Sequence, residues 1–379
     1  MLLFYPKESD PEETRTAIVP EIVKQLVSLG LDIEIESGLG SHLYYSDDDY
    51  AEQGAKISTN KQESYKNADI VLRLNKPAPE DLQSLKKGSL HISFLDPFHE
   101  HQLVEDLASA QVNAISMEMI PRISHAQEMD ALSSQASLAG YQAVILAAER
   151  LDKILPMMMT PSGTIPPARI FIIGAGVAGL QAIATAKRLG ARVEAFDTRP
   201  TADEQVKSLG AKFIYIDLGE TGQTEQGYAK ELTPKQLEKQ RQALAKVCAN
   251  SDIVITTAQL FGKKAPLIVT QQMVDAMRPG SVVVDMAAET GGNVECTVFG
   301  EEVIHKGVRI IGLPNLARQV PINASEAYAN NLFHLIQHIW NQEEKNLNLN
   351  VKDDILEKCL ITFEGRVINP AILELISSK

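Results

Sequence analysis

A strand that runs straight into a glycine loop and then a helix leaves a chain few choices of fold, and residues 169–189 read that way. Arg169-Ile-Phe-Ile-Ile173 is a short apolar run, Gly174-Ala-Gly-Val-Ala-Gly179 interrupts it, and Leu180-Gln-Ala-Ile-Ala-Thr-Ala-Lys-Arg-Leu189 is helical in composition. A buried strand feeding a crossover helix implies a parallel sheet wrapped by helices. In the G-x-G-x-x-G spacing, Gly174 permits the tight turn and Gly176 lets backbone approach a pyrophosphate. Gly179 allows close packing of helix on strand, and the free N–H groups of the helix start face the phosphate charge. Asp197 ends the next strand, about 20 residues on, and completes the dinucleotide fingerprint.

A carboxylate at Asp197 accepts hydrogen bonds from ribose hydroxyls and repels a 2′-phosphate. Arg199 points the other way, since a nearby arginine accommodates NADP. An anion facing the 2′-phosphate costs more than a mobile arginine recovers, so NAD(H) is the expected cofactor. The candidate cofactor contacts are Gly174, Gly176, Val177, Ala178, Gly179, Asp197, Thr198 and Arg199, with Thr257 and Ala258 where a later strand ends.

The strand at 169–173 opens a series that continues at 192–196, 212–216, 252–257, 281–286 and 309–312. An earlier series occupies 2–5, 32–36, 70–74, 91–95 and 113–116, with helical patterns at 21–29 and 80–86. The fold class is therefore α/β: two Rossmann-like, doubly wound parallel-sheet domains separated by a cleft. A chain of 379 residues has length enough for both. A long helix is expected over 130–151, with Leu138, Tyr141, Val144, Ile145, Ala148 and Leu151 as one apolar stripe. Leu155-Pro-Met-Met-Met-Thr-Pro-Ser-Gly-Thr-Ile-Pro-Pro167 cannot be helix and reads as a linker, its three methionines as packing. Helical patterns return at 325–340 and 372–377. Because the first sheet lacks a closing helix, this tail is expected to fold back onto it. The expected domains are residues 1–135 with 325–379, and residues 136–324. Residues 218–235 are polar and long for a connection, hence a candidate mobile element.

A formal net charge of −13, with no Lys/Arg block, argues against a nucleic-acid partner. Cys248, Cys296 and Cys359 lie far apart, so no metal site is expected and a reducing compartment fits best. The start, Met1-Leu-Leu-Phe-Tyr-Pro-Lys7, makes a poor signal peptide and a better first strand. The longest apolar stretch, 170–186, contains three glycines and falls short of the ~20 residues a membrane span needs. No direct membrane insertion is expected.

Pro121-Arg-Ile-Ser-His-Ala-Gln-Glu-Met-Asp-Ala-Leu-Ser-Ser-Gln135 carries Arg122, Gln127, Asp130 and Ser133 at the head of the long helix. Asp130 suits a helix N-cap with Ser133 in the first turn. A capped helix in a solvated loop is one reading of this segment. A set of donors and acceptors able to grip a carboxamide is the other, and spacing alone does not choose between them. His125 is the only imidazole there.

These segments together resemble the NAD(H)-binding component, domain I, of proton-translocating nicotinamide nucleotide transhydrogenases. The resemblance rests on Glu13-Thr-Arg-Thr-Ala-Ile-Val-Pro20, Pro121-Arg-Ile-Ser-His-Ala-Gln-Glu-Met-Asp130, Gly174-Ala-Gly-Val-Ala-Gly179 and Asp285-Met-Ala-Ala-Glu-Thr-Gly-Gly-Asn293. It implies that Arg122, Gln127, Asp130 and Ser133 contact the nicotinamide and its ribose, with Gln127 reaching toward the partner's nucleotide. It also implies that Asp197 holds the adenosine ribose and that Tyr228 sits on a mobile loop over NAD(H). The implied reaction is direct hydride transfer to NADP⁺ held by domain III on another chain, coupled to proton translocation by a membrane domain. The implied assembly is a homodimer at the cytoplasmic face of the inner membrane, held there through its partner subunits.

Alanine dehydrogenases share the fold and are the main rival; a non-catalytic NAD-binding protein is the other. Arg15 and Lys76 fall at substrate-carboxylate positions of the dehydrogenases. Their catalytic histidine, however, is replaced here by Asp96, and neither His91 nor His99 stands at that position. Chemistry at the α-carbon of a 2-amino acid needs a general acid/base of suitable pKa, which an ordinary aspartate is not.

Overall fold

A computed structural model describes residues 1–219, 221–222 and 229–377. They form two compact units, residues 1–135 with 318–379 and residues 136–317.

In the first unit the strands β1 (Leu2–Tyr5), β2 (Asp32–Glu36), β3 (Lys56–Ser58), β4 (Ile70–Leu72), β5 (Leu90–Ser93) and β6 (Asn113–Ser116) pair in parallel, in the order β6-β5-β4-β1-β2-β3. Helices such as α1 (Pro20–Ser28) cover the faces, turning Ile22, Val23 and Leu26 inward. β4 and β5 are buried along their whole length, as parallel strands covered on both faces must be. The order reverses between β1 and β4, so the chain leaves those two strands in opposite directions and opens the crevice where such sheets bind ligands.

The C-terminal tail adds more than helix. Leu360–Phe363 and Arg366–Val367 extend the sheet antiparallel beyond β6, a pairing that the apolar runs of the sequence do not announce.

The second unit is laid out more regularly. A hairpin of β7 (Met158–Thr160) and β8 (Gly163–Ile165) comes first. The sheet strands are β9 (Arg169–Ile173), β10 (Arg192–Phe196), β11 (Lys212–Phe213), β12 (Ile253–Thr256), β13 (Val282–Asp285), β14 (Glu302–His305) and β15 (Val308–Ile311). Their order is β11-β10-β9-β12-β13-β15-β14, parallel except for the edge strand β14. The reversal lies between β9 and β12. Cys248 is buried behind this sheet, and burial pushes its thiol up to about 12, so it packs as a small apolar group.

Two expectations need correction. The segment after the long helix is not a bare linker but the β7–β8 hairpin, and its methionines do not pack: Met157, Met158 and Met159 are 62%, 45% and 81% exposed. The turn at Pro161-Ser-Gly163 explains the first point. Gly163 has φ +119, which closes two extended tripeptides into a hairpin. The long helix α2 (Ala131–Arg150) exists, but its buried side chains are Ala143, Val144, Leu146 and Ala147, while Tyr141 is exposed. Small alanines set the inward face, so a stripe traced through the larger residues lies partly on the wrong side.

Candidate functional site

The glycine loop lies at the reversal point of the second sheet, between the carboxyl ends of β9 and β12. Gly174 has φ +99, a conformation other residues resist, and its N–H donates to the Phe196 carbonyl at 2.8 Å. A Cβ on Gly174 would lie 2.5 Å from Thr257 Oγ1, and one on Gly179 would lie 1.9 Å from the Gly174 carbonyl oxygen. Both positions are closed to any side chain. At Gly176 a Cβ would meet nothing within 4 Å, so the backbone there faces open space.

Helix α3 (Val177–Arg188) starts at that point, with Gly176 as a cap lacking any side chain to satisfy the first-turn N–H groups of Val177, Ala178 and Gly179. A tight turn, an open approach and uncapped donors fit the pyrophosphate of a dinucleotide. From the neighbouring strand, Thr257 N–H donates to the Ile173 carbonyl at 2.8 Å and its hydroxyl to the Gly174 carbonyl at 3.1 Å.

Asp197 faces this loop. Its carboxylate accepts from Ala175 N–H at 2.7 Å and from Arg199 through the backbone N–H at 2.8 Å, Nε at 3.0 Å and Nη2 at 2.8 Å. The Asp197 hydrogen bonds hold the Arg199 guanidinium more firmly protonated, against the effect of burial. Thr198 closes the neighbourhood by accepting, at its carbonyl, the Thr221 hydroxyl at 2.7 Å. Tyr228 lies outside the described residues.

Three features of this site were not recognised in the sequence. Gly140, in the middle of α2, packs so close that a Cβ would lie 2.2 Å from the Ala178 carbonyl oxygen. Asn293 is fully buried and grips Ala258 on both sides, accepting from its N–H at 3.0 Å and donating to its carbonyl at 2.9 Å. Asp285 in turn accepts from the N–H groups of Ala287, Asn293 and Val294 and from the Thr297 hydroxyl. The 285–293 segment therefore holds Thr257 and Ala258 in place. An interior helix glycine and a paired Asp/Asn at a strand end were the available signals.

In the first unit, the 3-10 turn Ser124–Met129 carries Gln127 outward, while Ala126 and Met129 are buried beneath it. Asp130 caps α2, accepting from Ser133 N–H at 2.9 Å and from its hydroxyl at 2.6 Å. Arg122 Nε stands 3.7 Å from Asp130 Oδ2. Arg122, Asp130 and Ser133 thus form one connected polar group beside Gln127. The capping role is real, and it orders the same donors and acceptors that a carboxamide would need. His125 is exposed and pairs with Asp354 at 2.9 Å.

The positions diagnostic of an amino-acid dehydrogenase are occupied otherwise. Buried Arg15 spends its guanidinium on Glu13, at 2.8 and 2.7 Å, and on Gln135 Oε1, at 2.8 Å. Arg15 holds Glu13 below the usual carboxylate range, outweighing the burial that opposes it. Lys76 is paired with Glu100. Asp96 sits at φ +52 with its side chain half exposed and bonded to His99 Nδ1 at 2.7 Å. His91 is buried against Ser93 Oγ at 3.0 Å, and burial, with the Arg73 charge second, pushes its pKa down to about 3. It stays neutral at any working pH.

Among the described residues no group of three or more His, Cys, Asp or Glu side chains could hold a metal, and no helix is long and apolar enough to cross a membrane.

The family model for the alanine dehydrogenase/PNT N-terminal domain matches residues 4–139, and that for the alanine dehydrogenase/PNT C-terminal domain matches residues 143–370. The chain is 41% identical over 379 residues to an NAD(P) transhydrogenase subunit alpha of Rhodospirillum rubrum, covering 98% of this chain and 99% of that protein. The solved transhydrogenase from Sinorhizobium meliloti superposes with a TM-score of 0.85 at 42% identity, covering 98% of this chain and 100% of that one. A solved L-alanine dehydrogenase gives a TM-score of 0.83 at 25% identity, covering 100% and 99%.

Proposed function

The chain belongs to the alanine dehydrogenase/PNT family, and from that premise we propose that it is the NAD(H)-binding component of a proton-translocating NAD(P) transhydrogenase. The fold does not separate the two branches, since both solved relatives superpose almost equally well. The side chains do. The observation that carries the reading is the closed dehydrogenase position: Arg15 neutralised by buried Glu13, Lys76 paired with Glu100, and Asp96 where a histidine would have to work. No group there can bind a substrate carboxylate and exchange a proton at its α-carbon.

When bound, the nicotinamide supplies a hydride that passes directly to NADP⁺ on a partner chain, a transfer that needs close contact of two rings rather than an acid or base. The chain's own work is to bind, orient and exclude water. Gly174, Gly176, Val177, Ala178 and Gly179 would take the pyrophosphate, with Asp197, Thr198 and Arg199 at the adenosine ribose and Thr257 and Ala258 beside them. Arg122, Gln127, Asp130 and Ser133 would orient the nicotinamide and its ribose, and Tyr228 would close over the dinucleotide. Arg199 turned onto Asp197 supports NAD(H) over NADP(H), because its guanidinium is already engaged.

The two compact units would act as the two domains. The partners would be an NADP(H)-binding domain III and a membrane domain on other chains, with this chain on the cytoplasmic face of the inner membrane. A homodimer fits the apolar hairpin, where Met157, Met158, Met159 and Ile165 are all exposed.

The deciding test mixes the chain with an NADP(H)-binding partner domain and follows hydride transfer from NADH to a nucleotide analogue. Transfer is expected only with both proteins present, and alanine with NAD⁺ should yield no NADH. Alanine-dependent NADH production by the chain alone would restore the dehydrogenase, and no transfer in the mixture would leave only NAD binding.

A further inference from the structure

We propose that Asn331 is a positioning residue for hydride transfer: from the C-terminal helix it pins the loop that carries Arg122, Gln127, Asp130 and Ser133. The inference rests on the reading of that loop as the nicotinamide grip. It concerns only the first unit, to which both the loop and the helix belong.

The loop is poorly able to hold itself. Its core is the 3-10 turn Ser124–Met129, a conformation with weak hydrogen-bond geometry that seldom persists unaided. Between that turn and α2 stands Asp130, whose own backbone reaches back only to the Gln127 carbonyl at 3.3 Å. A site that must place a reacting ring needs its supporting residues locked by something more rigid than this.

Helix α5 (Pro321–Ile339), which follows α4 (Pro234–Ala249) in the chain, is that support. It runs 19 residues, with Tyr328, Leu332, Leu335 and Ile336 buried in the same core as β1 and β4. Asn331 lies on it, 7% exposed, and makes one bond on each side of Asp130. Its Nδ2 donates to the Glu128 carbonyl at 2.7 Å, and its Oδ1 accepts from the Ser134 hydroxyl at 2.7 Å. Glu128 follows Gln127, and Ser134 follows Ser133. One amide therefore fixes the spacing between the turn and the start of α2, with Asp130 and Ser133 inside the bracket.

Neighbouring contacts run the same way. Gln135 Nε2 donates to the Ala324 carbonyl at 2.9 Å, and His334 Nδ1 stands 3.6 Å from the Glu128 carboxylate. A buried asparagine that merely satisfied its own polarity could do so with two groups on one element. Asn331 instead joins two elements of the candidate site to a third.

The consequence separates two quantities. Most dinucleotide affinity would come from the pyrophosphate and ribose contacts of the second unit, whereas Asn331 acts only on the orientation of the nicotinamide end. Misplacement by a fraction of an ångström to an ångström costs rate far more than affinity.

The experiment uses the full chain assembled with its NADP(H)-binding and membrane partners, comparing wild type, Asn331→Ala, Asn331→Asp and Ser134→Ala. Asn331→Ala is expected to lower kcat for hydride transfer roughly 10- to 100-fold with NADH Kd changed less than about threefold. Asn331→Asp keeps the acceptor for Ser134 but loses the donor to Glu128, and should fall between the two. Ser134→Ala removes the other bond and keeps Asn331; should Asn331→Ala not fold, a kcat loss in Ser134→Ala at unchanged Kd carries the proposal alone. Wild-type kcat in folded Asn331→Ala, or kcat and affinity lost in proportion, would overturn it. No transfer by the wild-type assembly would sink the underlying reading instead, so the two failures are distinguishable.

Discussion

Asp197 shows what a single side chain decides. Its carboxylate takes the Ala175 N–H and three donors of Arg199, so the same group that selects the ribose also fastens the glycine loop and restrains a cation able to greet a 2′-phosphate. Replacing it by asparagine keeps an acceptor for Ala175 but removes the charge, which releases Arg199. Asp197→Asn should weaken NADH binding by about 1.5–3 kcal/mol, on the order of 10- to 100-fold, the usual value of hydrogen bonds to a charged group. NADPH affinity should rise in the same variant. The NADH-to-NADPH affinity ratio, from fluorescence titration of each, is the informative measure, since a loosened loop alone would weaken both equally. An unchanged ratio would remove Asp197 and Arg199 from cofactor choice. The importance of Asp197 was legible in the sequence because the fingerprint sets its distance from the glycines. The bond from Arg199 was not, because two residues of spacing permit the guanidinium to turn either way.

At the scale of elements, strands were easier to read than helix faces. β9 and β10 lie where their apolar runs end, since a run buried on both faces has no phase to mistake. The extent of helix α2 is legible but its inward face is not, because the residues there are alanines and a glycine that carry little hydrophobic signal. Gly140 makes the point testable. By intrinsic propensity Gly140→Ala should stabilise the helix by about 1 kcal/mol. The structure sets the opposite sign, because the added Cβ would lie 2.2 Å from the backbone oxygen of Ala178, which has no flexible end to swing aside. Overpacking of this kind costs about 3 kcal/mol at the upper end of its usual range, so a net loss of about 2 kcal/mol is expected. Thermal denaturation reads the loss. NADH titration should show weaker binding as well, because Ala178 opens helix α3 at the glycine loop. A more stable Gly140→Ala protein would mean that the two helices do not meet this closely.

For the molecule as a whole, two doubly wound sheets followed from two series of short apolar runs, while the additions that finish them did not. The edge strands Leu360–Phe363, Arg366–Val367 and β14 are antiparallel and short, and their pattern resembles ordinary loop. The hairpin β7–β8 was hidden by its prolines, and its exposure now carries a prediction about assembly. Among the described residues its two strands pair only with each other, and Met157, Met158, Met159 and Ile165 are exposed on it. A lone two-stranded hairpin is marginal in water, and flexible apolar side chains gain nothing by facing solvent. A second copy of the chain laid against it would bury those side chains and steady the strands, which is the arrangement the proposed homodimer requires. Sedimentation of the wild-type chain should then give twice the monomer mass at micromolar concentration, while the double variant Met157→Glu, Met159→Glu should sediment as a monomer. The variant should still bind NADH, because the glycine loop and Asp197 lie on other elements of the unit. A wild-type chain that stays monomeric, or a charged hairpin that leaves the dimer intact, would detach this surface from the assembly.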